Sequence, residues 1–339
     1  MSAQAELAVP LRVLNAFHNQ YPGIWRLIEF ERAMSITAGE KRALDIFIDA
    51  TVGGRVVRRL LEAGAFQYDE EPGMLPKIFV PLAAWRVSQG IYSFEPTLLE
   101  YVAHSRFHDA VPTASLRSMP EWAPYIETPG FTFMGEAVHG FFASWYEPVW
   151  SPEKPSLKLD KPHDLKSEDT DVPPTLLFVL VVGERYTRVT FEIPTSGGYI
   201  ETFLAEDVRA TLRGRRTFER KAKKTVDVGS ELLPFVNVLL YLCTPAADYE
   251  RTMKMPTTVP TKEGPRFVPP AAPRRIVVGE RLGKPLATAQ KINDKADVSS
   301  TSSIRTSKWY VEYDDQDSRY VVNRHPAKAG VREVVSTKR

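Results

Sequence analysis

Hydrophobic and polar positions alternate most clearly in the middle of the chain, where three runs predict neighbouring β-strands. These runs are Val138–Tyr146, Thr175–Val182 and Tyr186–Ile193. In the third run apolar residues alternate with Arg, Thr and Glu, which is the period of two expected of a strand with one buried face. The second run has no polar residue after its first position, so we expect both of its faces to be covered.

The connections between these runs predict a central antiparallel sheet. Gly183-Glu184-Arg185 separates the second and third runs and is short enough to require a hairpin. The first and second runs are separated by Ser151–Pro174, a charged stretch with five prolines that we expect on the surface.

Helical spacing of apolar residues dominates the chain before the sheet. Residues 1–113 are therefore predicted to form a helical region, with a break at Gly53-Gly54 and with Pro96 in the first turn of a helix that reaches Ser105. A further helix, Glu231–Leu242, is apolar nearly all round, which indicates a helix buried against the sheet. Residues 114–250 are thus predicted to form an antiparallel sheet with packed helices.

The remainder of the chain is predicted to be extended. Residues 251–303 are rich in proline and serine and read as a connection, with a short strand at Ile276–Val278. Residues 304–339 are predicted to form a hairpin and a tail, with Lys308–Tyr313 and Arg319–Val322 as its strands. The predicted fold class is α+β: a helical N-terminal region, a central antiparallel sheet backed by helices, and an extended basic C-terminal arm ending in a β-hairpin.

Charge is distributed unevenly along the chain. Residues 251–339 hold 18 Lys and Arg against 9 Asp and Glu, a net charge of +9, so the total of +2 leaves −7 on the first 250 residues. A second basic segment lies after the sheet and carries one acid, Glu219. Its candidate contacts with nucleic acid or ribosome are Arg213, Arg215, Arg216, Arg220, Lys221, Lys223 and Lys224. A solvated loop is the alternative interpretation.

Composition restricts the class of protein and its compartment. The longest apolar run is the seven residues Leu176–Val182, too short to span a bilayer, and the N-terminus lacks the features of a secretory signal. The single cysteine, Cys243, excludes an intrachain disulfide and fits a reducing cytoplasm. A cytoplasmic protein is therefore expected.

Catalytic and ligand-binding patterns give no assignment. Glu100, His104 and His108 have a spacing that aligns them on a helix, but no further metal ligand accompanies them. Gly279–Lys284 has three residues rather than four between its glycines, and proline follows the lysine, so it is not a phosphate-binding loop. We therefore expect no metal, no cofactor and no enzymatic activity.

An ordered set of short motifs, each unspecific alone, resembles a known family. The motifs are Ala84-Trp85-Arg86, Gly90-Ile91-Tyr92, Pro120-Glu121-Trp122 with Tyr125, Gly140-Phe141-Phe142-Ala143, Leu232-Leu233-Pro234 with Leu242-Cys243, Phe267-Val268 with Pro270, and Gly279-Glu280-Arg281-Leu282-Gly283. In this order they resemble the second described class of type V-A anti-CRISPR proteins, over about residues 80 to 331.

The resemblance implies a function in host-defence evasion by phages, plasmids and other mobile elements. The resemblance implies recognition of the beginning of the nascent type V-A effector nuclease and suppression of its production, with loss of its transcript. The implied setting is the cytoplasm of a bacterial host, and the implied partner is a nascent polypeptide. This chain departs from the family near Ser303–Trp309, where basic and aromatic character persists but most histidines are missing. A related target protein is therefore an open alternative.

Recognition of a short peptide requires a preformed groove with aromatic anchors and a few cationic groups. The candidate anchors are Trp122, Tyr125 and Trp145, on or beside the predicted sheet. The candidates that close the groove from the C-terminal arm are Arg281, Arg305, Trp309 and Arg324. The alternative function is a nucleic-acid- or ribosome-associated binding protein of a mobile element, which would use the basic segments.

Overall fold

A seven-stranded sheet lies between two layers of helices. The structure is a computed structural model, and it describes residues 7–37, 47–65, 75–107, 110–146, 175–184, 186–194, 198–206, 228–250, 257–262, 264–283, 285–288, 308–314 and 319–325. Within these residues the strands are β1 Gly90–Phe94, β2 Arg106–Phe107, β3 Tyr125–Glu127, β4 Thr132–Phe133, β5 Glu136–Tyr146, β6 Thr175–Val182, β7 Thr187–Pro194, β8 Thr257–Thr261, β9 Gly264–Val268, β10 Arg274–Val278, β11 Lys308–Asp314 and β12 Arg319–His325. The helices are α1 Val9–Gln20, α2 Ile24–Thr37, α3 Ala50–Glu62, α4 Leu75–Ser88, α5 Pro96–Ala103, α6 Ile200–Glu206 and α7 Val228–Cys243, with a 3₁₀ helix at Thr113–Ser118.

The central sheet is mostly antiparallel. Its strand order is β10-β1-β3-β5-β6-β7, and β4 also pairs with β5. The β3–β5, β5–β6 and β6–β7 pairs are antiparallel, as predicted for the centre of the sheet. The β10–β1 and β1–β3 pairs are parallel. The predicted α+β fold class is therefore confirmed. The parallel strand pairs at one side of the sheet were not predicted.

Each face of the sheet has its own hydrophobic core. On one face α1 to α4 pack against alternate sheet residues such as Tyr125, Phe142 and Leu177. On the other face α5, α6, α7 and the 3₁₀ helix pack against the intervening strand residues, such as Phe141 and Leu176. Strand β6 is buried at all eight positions because both layers cover it, as its unbroken apolar run predicts.

The core helix predicted after the sheet is present as α7. Leu239 and Phe235 are fully buried in it, and the amide of Asn237 donates hydrogen bonds to the carbonyls of Ala103 and Ser105, both at 2.9 Å. Ala103 is the last residue of α5 and Ser105 lies two residues beyond it, where a helix end leaves backbone acceptors without helical partners. The buried asparagine thereby fixes α7 against α5.

Three predictions about organisation differ from the structure. The sheet begins at β1, inside the 1–113 segment predicted to be helical, because Gly90–Phe94 pairs with strands on both sides. The predicted short strand at Ile276–Val278 is part of β10, which joins the central sheet although it lies in the segment predicted as a connection. Gly53 and Gly54 do not break a helix, since α3 runs through both after Asp49 caps its N-terminus.

The C-terminal hairpin is present and is attached to the body of the protein. Strands β11 and β12 pair antiparallel, and β11 also pairs in parallel with β2, with Lys308 opposite Arg106 and Trp309 opposite Phe107. A second hairpin, β8–β9, lies against α2. The predicted surface loop 151–174 lies outside the described residues.

Candidate functional site

Three aromatic rings from distant parts of the chain meet beside the start of β3. Trp122 lies between Phe47 and Phe267, with ring centroids 5.0 Å and 5.4 Å away respectively. Phe47 and Phe267 are themselves 5.8 Å apart. Phe47 lies two residues before Asp49, the N-cap of α3, and Phe267 comes from β9. Trp122 and Phe267 are half-buried, so part of this aromatic surface is open to solvent.

A buried arginine completes the group, which we call the aromatic–arginine cluster: Arg32, Phe47, Trp122 and Phe267. The guanidinium carbon of Arg32 lies 4.1 Å from the Phe267 ring centroid and 4.6 Å from that of Phe47. Its Nε also donates to the Phe47 carbonyl at 3.2 Å. Arg32 is only 7% exposed, so these cation–π contacts form away from bulk water, where they are strongest.

Glu29 joins this cluster to α4. Its Oε2 accepts a hydrogen bond from the backbone N–H of Phe267 at 3.3 Å, and its Oε1 lies 3.7 Å from Nη1 of Arg86. Burial raises the pKa of the Glu29 carboxyl, and the Phe267 N–H together with the charges of Arg32, Arg86 and Arg266 partly opposes this rise. Burial likewise lowers the pKa of Arg86.

The residue before Trp122 points to the opposite layer. Glu121 is 5% exposed, and its Oε2 lies 3.8 Å from Nη2 of Arg274. Burial raises the pKa of Glu121, and its neighbours Ser88, Arg274 and Tyr92 partly oppose the rise. The pKa of Tyr92 is raised above its usual range by burial and by the nearby Glu121 carboxylate.

A glycine makes room for this carboxylate. A Cβ at Gly90 would lie 1.8 Å from Oε1 of Glu121, so any larger residue would displace the acid. The carbonyl of Gly90 accepts a hydrogen bond from Nε1 of Trp85 at 2.9 Å. Residues of the first three motifs thus contact one another around the start of β1.

Two of the three predicted anchors are core residues in this structure. Tyr125 is fully buried on the face covered by α1 to α4, with its ring 4.8 Å from that of Phe142. Trp145 is 2% exposed and lies in the core of the opposite face, with the Arg117 guanidinium 6.0 Å above its ring. The prediction that Trp122, Tyr125 and Trp145 share one groove is therefore wrong for this conformation, because the sheet separates Tyr125 from Trp145.

Both buried anchors keep a polar atom without a partner. The Tyr125 hydroxyl and Nε1 of Trp145 have no hydrogen-bond partner within the described part of the chain. Burial raises the pKa of the Tyr125 hydroxyl above its usual range. Such atoms carry a desolvation cost and are therefore unusual in a core.

Of the candidates on the C-terminal arm, the structure describes Arg281 and the backbone of Trp309 and Arg324. Arg281 is exposed, and its Nε donates to Oδ1 of Asp248 at 2.6 Å, on the face covered by α7. Trp309 and Arg324 are directly opposite each other in the β11–β12 hairpin. Arg305 lies outside the described residues, as does the whole basic segment Arg213 to Lys224.

The sequence alone did not reveal four members of this site, namely Glu29, Arg32, Phe47 and Phe267. Phe267 was present in a recognised motif but carried no assignment. Arg32 and Glu29 lie in an ordinary helical pattern, and only the packing of β9 against α2 gives them their role. Among the described residues no cluster of three or more potential metal ligands occurs. No helix in the described part of the chain is long and apolar enough to cross a membrane.

The fold and site define a three-layer α+β protein with an aromatic–arginine cluster beside its sheet. The model of the AcrVA2-like family, described as the anti-CRISPR type V subtype A2 family, matches residues 92–309. The chain therefore belongs to this anti-CRISPR family, and the resemblance seen in its motifs is confirmed.

The fold agrees with this assignment. A crystal structure of AcrVA2 is similar over 95% of this chain and 98% of that chain, with a TM-score of 0.59 at 17% sequence identity. At that identity the similarity establishes a shared fold. A comparison with functionally curated proteins gives no match.

Proposed function

We propose that this anti-CRISPR protein lowers production of a type V-A effector nuclease, or of a related target, by recognising the beginning of the nascent polypeptide. The observation that carries this proposal is the family match over residues 92–309. It acts by binding rather than by catalysis, in the cytoplasm of the host that carries the mobile element.

The aromatic–arginine cluster supports recognition of a peptide. Trp122 offers a large, partly exposed ring, and tryptophan is one of the residue types enriched at binding hot spots. Arg32 and Glu29 hold the neighbouring Phe267 in place, so little order has to be gained on binding. The cluster therefore has the rigid aromatic surface that a short peptide requires.

The proposal is tested by co-expression with a type V-A effector nuclease. We expect the amount of nuclease and of its transcript to fall, whereas purified protein added to assembled nuclease leaves cleavage unchanged. Recoding the first codons to a different peptide should remove the effect, and synonymous recoding should preserve it. Direct inhibition of the purified nuclease, or sensitivity to synonymous recoding alone, would refute the proposal.

The role of Trp122 is tested in the same assay. Trp122→Ala removes the exposed ring, and we expect loss of nuclease suppression with the fold retained, as checked by thermal melting. Tyr199→Ala is the matched control, because Tyr199 is an aromatic residue that is 48% exposed outside the cluster. Full suppression by a folded Trp122→Ala variant would exclude the cluster as the recognition site.

A further inference from the structure

A shallow trough crosses the N-terminal end of α2 on the outside of the helical layer. One depression, of about 340 Å³, is lined by Gly23, Arg26, Leu27, Phe30 and Arg266. A second, of about 460 Å³, lies on the α3 side and is also lined by Gly23 and Leu27. Because these two residues line both depressions, the depressions form one continuous surface. We call it the α2 trough and define it by Gly23, Arg26, Leu27, Phe30, Arg59 and Arg266.

The floor of the trough is an apolar stripe of α2. At 3.6 residues per turn, Leu27, Phe30 and Met34 lie on one side of the helix, and Gly23 begins the same row. The other side of α2 carries the core residue Ile28, which is 1% exposed. Leu27 and Phe30 are half-buried and Met34 is 45% exposed, so this stripe faces solvent.

Strand β9 extends the apolar surface. Successive side chains of a strand point to opposite faces, so Arg266 and Val268 share the face opposite to Phe267. Val259 pairs with Arg266 across the β8–β9 hairpin and lies on the same outer face. Val259 and Val268 are 44% and 45% exposed. The trough is therefore flanked by further apolar side chains on the β9 side.

The polar residues of the trough are mostly cationic. Among the described residues, Arg26, Arg59 and Arg266 line it, against the acid Glu62. Arg59 and Arg55 share the carboxylate of Glu31, which is only 2% exposed. Counted over the described lining residues alone, three arginines and one acid leave a net charge of +2. Guanidinium groups match carboxylates by paired hydrogen bonds.

The trough leaves room for a chain to pass over α2. Gly23 has φ +83°, and a Cβ built there would meet no atom within 4 Å. A ligand backbone can therefore approach the N-terminal end of α2 closely and connect the two depressions. The apolar floor disfavours a nucleic-acid backbone, since phosphates gain nothing from contact with Leu27 and Phe30.

We infer that the α2 trough binds an extended, acidic segment of another protein. Apolar side chains of the segment contact Leu27 and Phe30, and its carboxylates pair with Arg26, Arg59 and Arg266. Of the residues that define the trough, only Arg266 lies within the 92–309 region matched by the family. The inference therefore goes beyond the proposed function and does not depend on it.

Fluorescence anisotropy with two labelled synthetic peptides tests this inference on the purified full chain. One peptide alternates Leu and Phe with Glu, and its twin carries Lys in place of every Glu. We expect the acidic peptide to bind at least tenfold more tightly than its twin. The double variant Arg26→Glu with Arg266→Glu should weaken that binding by at least tenfold. Arg117→Glu, an exposed charge reversal on the opposite layer, is the matched control and should leave binding unchanged.

Several outcomes of these measurements would contradict the inference. Equal binding of the two peptides, no binding of either, or unchanged binding by the double variant would each overturn the inference. A labelled single-stranded RNA that competes with the acidic peptide would overturn it in favour of nucleic acid. Sedimentation velocity showing a dimer that the double variant dissociates would assign the trough to a second copy instead. Leu27→Gln provides a further variant that removes floor contacts, and its melting temperature reports whether the fold is intact.

Discussion

At the scale of single residues, Glu29 and Glu121 are two of the carboxyl groups that are buried in the described part of the chain. Glu29 and Glu121 lie on different sides of the sheet and far apart in the sequence, yet burial raises the pKa of both. Each faces an arginine at 3.7 to 3.8 Å rather than in close contact. Such groups cost stability when ionised unless hydrogen bonds and charges compensate fully.

Glu121 should make stability depend on pH in an unusual direction. Its pKa in the folded state lies above the ordinary 4.5, so the folded chain holds the proton more tightly than the unfolded chain. The stabilisation is complete below the unfolded-state pKa and is lost as the pH rises through the folded-state value. Glu121→Gln keeps the shape without ionising, so we expect its melting temperature to decline less between about pH 5 and pH 8 than that of the wild type.

Differential scanning fluorimetry across this pH range measures the effect. Glu29 is unchanged in the variant, so the difference between the two curves reports on Glu121 alone. Glu62→Gln removes an exposed carboxylate and controls for the change in net charge. Parallel curves for wild type and Glu121→Gln would show that the buried carboxyl does not titrate as described.

Gly140 shows how closely two strands approach at one point. A Cβ at this position would lie 2.5 Å from both the Ile126 carbonyl and the Tyr125 hydroxyl. Because one of these atoms belongs to the backbone of β3, Gly140→Ala should cost about 1–3 kcal/mol in the free energy of unfolding. Gly198→Ala is the control, since nothing lies within 4 Å of its Cβ position. Urea denaturation that gives equal values for both variants would contradict the close approach.

At the scale of elements, the local pattern of apolar residues predicts a strand correctly where that strand pairs with its neighbour in sequence. The β6–β7 hairpin is set by a short turn and by the alternation of Val189, Phe191 and Ile193, all buried as expected. Strand β1 was missed because its pairing partners are distant: β10 lies near residue 276 and contacts Tyr92 in parallel register. Parallel pairing leaves no turn signal in the sequence.

The candidate site could likewise be predicted from the sequence only in part. Trp122 was selected from the sequence and is partly exposed, but its neighbours Phe47 and Phe267 come from elements whose packing no local pattern encodes. Tyr125 and Trp145 were expected beside it. With both faces of the sheet covered by helices, odd and even positions of a strand are equally buried, so aromatic character alone could not separate anchors from core residues.

Helix α7 supplies many residues to the core on its face of the sheet, so a cavity among them should lower stability. Leu239 is fully buried in the core between α7 and the sheet. Leu239→Ala removes three carbon atoms and leaves a cavity, for which we expect a loss of about 2–5 kcal/mol in the free energy of unfolding. Leu61→Ala is the matched control because Leu61 is 43% exposed on α3, and it should change the free energy little. Equal destabilisation of both variants in urea titrations would contradict the burial of α7.

At the scale of the whole molecule, the family motifs connect the two layers through the sheet. Trp85 and Trp122 pack with the α1–α4 layer, whereas Tyr92 packs with the opposite layer, where it lies beside Glu121. The match over residues 92–309 therefore includes material from both cores rather than one surface patch. Much of each motif serves packing, whereas Trp122 and Phe267 combine packing against the core with partial exposure.

The uneven charge of the chain separates the proposed function from its alternative. If suppression depends on recognition of a peptide, the basic segment Arg213 to Lys224 is not required for it, because contacts between basic side chains and phosphates cannot distinguish one nascent polypeptide from another. We therefore expect a variant with Arg215, Arg216, Lys223 and Lys224 changed to Gln to lower the effector nuclease as well as the wild type does. Immunoblotting of the nuclease and quantification of its transcript in the co-expression assay measure this.

Ribosome co-sedimentation over a salt series completes the comparison. A nucleic-acid contact by the segment would make wild-type binding fall steeply with salt, with a shallower slope after the four substitutions. Trp122→Ala with an intact basic segment is the reciprocal control, since it should lose suppression while its co-sedimentation stays at the wild-type level. If the variant with four Gln substitutions instead loses both ribosome binding and nuclease suppression, the basic segment carries the function. The alternative of a nucleic-acid-associated protein then replaces recognition of the peptide.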